Sequence, residues 1–161
     1  MSILESFKNL RRKQLFSLGK VLILHPKFII PTWSATRETI KICDNKFGKE
    51  HHKNSPANAF RHALWNFLIC EKCYRISGSS EKALEWSKRI TDLHEELSPN
   101  RTPERNMDLH NNRIGRKLFE EHIFEALDIQ MLLMEKTKKA IHHDKMNDFN
   151  SQKDILVYLE K

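Results

Sequence analysis

Apolar residues recur every three or four positions along most of the chain, the spacing that places them on one face of an α-helix. Over residues 2–22 the series is Ile3, Leu4, Phe7, Leu10, Leu15, Leu18 and Leu22, with lysines and arginines between. His25-Pro26 and Pro31 then predict a connection. A second helix, capped by Ser34 or Thr36, runs to about Phe47 and stops at Gly48. Residues 48–56 read as a polar loop.

A third helix is expected from Pro56 to about Ile76. Phe60, Leu64, Trp65, Phe67, Leu68 and Ile69 spread round most of its circumference, which makes it the central, buried helix. A fourth helix, residues 80–97, is capped by Ser80 and carries the stripe Ala83, Trp86, Ile90, Leu93 and Leu97. After a turn over residues 98–105, helical patterning runs from Asn106 through Lys139 with a break near Glu121 or Asp128. A short helix over 151–160 is expected to close the fold, and no segment shows the alternation of a strand. The pattern predicts an all-α fold: one compact helical bundle of about five to seven helices. It forms a single domain over residues 1–161, with residues 56–120 as its motif-bearing core.

With 39% apolar residues, the chain can build one core. No stretch approaches the roughly 18 apolar residues of a membrane span, and no cleavable signal stands out. The expectation is synthesis as a soluble cytoplasmic chain, and export by a dedicated secretion machine would leave no mark here. The net charge of +7 suits an anionic substrate or an acidic protein partner. The basic helix over 2–22 suits peripheral membrane contact. Nucleic acid is less favoured, since neither a helix-turn-helix nor aromatic–basic interleaving occurs. Three cysteines give no disulfide framework; Cys70 and Cys73, inside an apolar helix, read as buried free thiols.

Three segments break the pattern of simple core helices. Arg61, His62 and Asn66 lie on the central helix, and His62 and Asn66, four apart, share a face. In the fourth helix His94 stands about 40° round from Ile90 and Glu95 about 140°. His94 is therefore expected inside, with Glu95 second. In the fifth, Asn111 falls within the stripe of Met107, Ile114 and Leu118, with Asp108 and Asn112 at its flanks. Gly115, on the Asp108 side, suggests close packing of a helix or a ligand.

Buried polar groups cost a few kcal/mol unless paired, so these residues are expected to meet. They could form a hydrolytic site in a bundle. His62, His94, Glu95 and Asp108 would carry the chemistry, and Arg61, Asn66, Asn111 and Asn112 would hold an anionic substrate. His62, His94 and Asp108 could instead bind a divalent cation such as zinc, manganese or iron. The alternative is a non-enzymatic basic binding module whose polar network only specifies packing. His51-His52 and His142-His143 read as exposed loop pairs rather than chelates, with His52 near the mouth of the site.

The residues Phe60-Arg61-His62 with Trp65, then His94-Glu95, then Met107-Asp108-Leu109 with Asn111-Asn112 and Gly115 resemble an uncharacterised bacterial domain family. The resemblance covers roughly residues 25–120. Members look like domains of secreted, cell-surface and polymorphic-toxin-like proteins. That implies an antibacterial effector or toxin-like hydrolase acting on a phosphodiester, phospholipid or cell-wall substrate, with an immunity protein as the acidic partner.

Overall fold

The computed structural model describes Gly19 and residues 23–98, 102–143 and 154–159; the expected helix over 2–22 lies almost wholly outside them. Five α-helices are delimited among the described residues: α1 Ile29–Phe47, α2 Pro56–Ser77, α3 Ser80–Leu97, α4 Thr102–His122 and α5 Ile129–Lys138. Short 3-10 helices, Pro26–Phe28 and Gly48–His52, flank α1. None of the described helices is long and apolar enough to cross a membrane.

The central helix is α2, which packs against the other four. Its Phe60, Leu64, Ile69, Cys70 and Cys73 are fully buried, as expected of a helix apolar nearly all round. The closest crossing is with α4. A Cβ built at Gly115 would stand 2.1 Å from the Ala63 carbonyl oxygen, so only glycine lets the two backbones meet here. All three cysteines are free and buried, and burial pushes the Cys70 thiol up to about 12, which leaves it inert.

α4 begins at Thr102, so residues 102–105 of the expected turn form its first turn, and three further features differ from expectation. First, α1 begins at Ile29, and Pro31 sits within its first turn, where no backbone donor is needed. The hydroxyls of Thr32 and Thr36 donate back to the carbonyls of Phe28 and Thr32 instead of capping. Second, Ser79 rather than Ser80 caps α3, accepting from the Lys82 amide at 3.2 Å. Third, the expected helix over 151–160 is, over its described residues, a turn and a strand. Val157–Tyr158 pairs in parallel with Ile141–His142. Side chains of α4 hold this tail extended. Asn111 donates to the Val157 carbonyl at 2.9 Å and accepts from its amide at 3.1 Å. His110 Nε2 lies 2.9 Å from the Ile155 carbonyl. The break after α4 is as expected, and Asp128 caps α5 by accepting from the Gln130 and Met131 amides.

Candidate functional site

Polar side chains four residues apart line the inner faces of three helices. They are His62 and Asn66 on α2; Ser87, Thr91 and Glu95 on α3; and Asp108, Asn112 and Arg116 on α4. Residues four apart stack on one helical face, so each row forms a ladder and the ladders meet at the α2–α4 crossing. His62, Asn66, Glu95, Asp108 and Asn112 are each between 0 and 3% exposed.

Asn66 is the hub. Its Oδ1 accepts from Arg116 Nη1 at 2.8 Å, Ser87 Oγ at 3.0 Å and Thr91 Oγ1 at 3.1 Å. The Arg116 cation fixes this amide orientation, because a reversed amide would turn its NH2 toward a donor-only group. Nδ2 therefore faces Asn112 and donates to its Oδ1 at 2.7 Å. That same Oδ1 lies 3.0 Å from His62 Nδ1, so Nδ1 carries the hydrogen. The lone pair of His62 is thereby placed on Nε2, where Arg61 Nη2 donates to it at 2.9 Å. Burial, and then the Arg61 charge, push the His62 pKa well below the usual value, and the ring is neutral.

The two carboxyls flank the ring: Glu95 Oε1 stands 3.7 Å from Nδ1, and Asp108 shares the Nε2 side with Arg61. Asp108 Oδ1 is 3.2 Å from His62 Nε2. Asn112 Nδ2 donates to Glu95 Oε1 at 3.4 Å. No N–H or hydroxyl of the described residues reaches Glu95 Oε2; its neighbour is the Asp108 carboxyl. Burial first, and the Asp108 charge second, raise the Glu95 pKa to about 8. The two carboxyls therefore titrate together, and the half-buried Arg61 guanidinium acts in the opposite sense, favouring negative charge on Glu95. Arg61 is itself held by donation from Nη1 to the His51 carbonyl at 2.7 Å.

Of the residues singled out in the sequence, Arg61, His62, Asn66, Glu95, Asp108 and Asn112 come together. Two do not. Contrary to expectation His94 is exposed, its ring edge-on to Trp65 at 5.1 Å. The crowding of its inner side, then Arg61, lower its pKa, a push that its solvent-facing side tempers. Asn111 is buried, but both ends of its amide are spent on Val157. His51 is also buried rather than exposed, while His52 is at the surface. Sequence reasoning missed Ser87, Thr91 and Arg116. The signal was their four-residue spacing to Glu95 and Asn112.

His62, Glu95 and Asp108 each offer a metal-ligand atom, all within 4.8 Å of one another. With or without a cation, the cluster offers an imidazole, two carboxyl groups and a guanidinium in one low-dielectric place. The residues nearest it that reach solvent are Arg61, Trp65 and His94.

No curated protein and no solved structure matches the chain. The model of a domain of unknown function, DUF6973, matches residues 19–145 and so takes in every residue of the cluster; the chain belongs to that family.

Proposed function

We propose that the chain is a small helical hydrolase whose proton-transfer group is the Glu95–Asp108 pair. The carrying observation is the buried Glu95 carboxyl set beside the buried Asp108 carboxyl with no N–H donor among the described residues at Oε2, a setting that raises the Glu95 pKa to about 8. Two carboxyls in contact share one proton, so one can take a proton from water while the other gives one to an oxygen of the substrate. Carboxyls that cleave glycosides flank the sugar, about 5 Å or more apart. The Glu95 and Asp108 oxygens, within 4.8 Å of each other, are closer than that and favour attack at an acyl or phosphoryl centre over cell-wall glycan. Arg61 suits the anionic group of a phosphodiester or phospholipid. Ile30, Trp33 and Ile40, exposed on α1 with Arg37 among them, suit peripheral contact with a lipid surface.

The test is Glu95→Gln, assayed with the full chain on a chromogenic phosphodiester and on phospholipid vesicles. Hydrolysis by the native chain, lost by at least about 100-fold in the variant at unchanged helicity, supports the proposal. No hydrolysis of either substrate, or a variant equally active, contradicts it.

A second reading is favoured by the convergence of His62, Glu95 and Asp108 donors. They would hold zinc, manganese or iron, which would supply an activated water. Glu95 then replaces His94 in the ligand set expected from sequence. Arg61 would have to leave His62 Nε2, which it already occupies at 2.9 Å. For this reason the proton-sharing pair is preferred. The resemblance to toxin-like domains supports an effector role, with the +7 charge facing an acidic immunity protein.

A further inference from the structure

We propose that Asp44, His51 and His52 form a surface site for a divalent cation of the zinc class, independent of the buried cluster and of the hydrolase reading. Gly48 ends α1 with φ +54°, a left-handed conformation that glycine adopts without strain. The chain then doubles back as the 3-10 helix Gly48–His52, which returns both histidines to the last turns of α1. His51 Nε2 lies 2.9 Å from Asp44 Oδ1, and the His51 and His52 ring centroids are 4.0 Å apart. One donor atom from each of the three residues falls within 4.8 Å of the others.

The spacing fits a metal. Ligands bonded at about 2.1 Å stand roughly 3.0 Å apart at a right angle and about 3.4 Å at the tetrahedral angle. A cation can therefore replace the proton between His51 and Asp44 with little movement, and His52 closes the set. Two imidazoles and one carboxylate select zinc, cobalt or nickel over calcium and magnesium. Solvent completes the shell, since Asp44 and His52 are exposed.

Two features set this group apart from the buried cluster. There, Arg61 already satisfies the imidazole lone pair. Here, among the described residues, no lysine or arginine pairs with Asp44. His51 is also fully buried, and among the described residues its Nδ1 has no hydrogen-bond partner while its Nε2 meets one exposed carboxylate. The consequence reaches the cluster indirectly. The His51 carbonyl accepts from Arg61 at 2.7 Å, so an ion that pins this turn to α1 also fixes the acceptor that steadies Arg61.

The full chain without a histidine tag, stripped by chelator, would be titrated with cobalt(II) and followed by its visible absorption. About one equivalent should bind, and zinc should displace it. His52→Ala and Asp44→Asn should each weaken binding by more than about tenfold. Because both side chains are exposed, helical content by circular dichroism should stay unchanged. Glu95→Gln should leave the titration as it is. Absence of cobalt binding, binding indifferent to both surface variants, or binding lost in Glu95→Gln would each overturn the proposal.

Discussion

Gly115 of α4 meets the Ala63 carbonyl oxygen of α2 so closely that an added Cβ would stand 2.1 Å from it. This crossing brings the ladder Asp108–Asn112–Arg116 against His62 and Asn66. The obstacle is backbone in the middle of a helix, which cannot swing aside. Gly115→Ala should therefore cost about 3 kcal/mol or more, despite alanine's better helix propensity. Thermal unfolding should show a fall of roughly 10 °C. A variant as stable as the native chain would mean that the helices are not packed this closely.

Asn66 satisfies groups from all three ladders with one amide. Asn66→Ala would leave Arg116, Ser87 and Asn112 short of partners inside the core, at a cost of about 2–4 kcal/mol. Chemical denaturation gives the value. A loss below about 1 kcal/mol would mean that the buried groups re-pair without the hub.

The raised Glu95 pKa sets a pH dependence of stability. A carboxyl that titrates at about 8 in the fold and near its ordinary value when unfolded holds its proton more tightly in the native state. Its stabilising effect is complete below the unfolded value and is lost as pH rises toward 8. His62 works in the opposite sense. Its folded pKa is lowered, so stability falls as pH drops below about 6.5. Comparing Glu95→Gln with the native chain isolates the carboxyl: glutamine should gain relative stability between about pH 5 and 8. A flat difference across that window would contradict the assignment.

Asn111 acts as a piece of strand, giving the Val157 main chain both a donor and an acceptor. Asn111→Ala should cost about 2 kcal/mol and speed hydrogen exchange at the Val157 amide while leaving the amides of α2 protected. Unchanged exchange at Val157 would show that the tail is held by other contacts.

The helical periods were legible because the central helix and its neighbours bury wide apolar faces. The candidate site was legible from polar residues set on those faces, as with Arg61, His62 and Asn66. Errors arose where the apolar stripe did not mark the true inward direction. On α3, Ile90 is only half-buried, whereas Ala83, Ser87 and Thr91 are fully buried. Measured from Thr91, Glu95 lies about 40° away and points inward; His94, about 60° to the other side, shares the direction of Ala83 and Ser87 but sits in the last turn of α3, where it is exposed. Small hydroxyl residues bury easily, and hydrophobic patterning passes over them. The tail was illegible for another reason: its extended form depends on Asn111 and His110, more than 40 residues earlier. Pro31 misled because proline both ends helices and suits their first turn.

The proposed sharing of a proton between Glu95 and Asp108 can be tested directly. Carbon-13 NMR titration of the labelled Glu95 side-chain carboxyl, in native protein and in Asp108→Asn, would report its pKa without reference to any substrate. A midpoint near 8 in the native chain, falling clearly in Asp108→Asn as the neighbouring charge is removed, is the predicted result. A midpoint in the ordinary carboxylate range, unmoved by the variant, would contradict the shared proton and with it the proposed acid–base site.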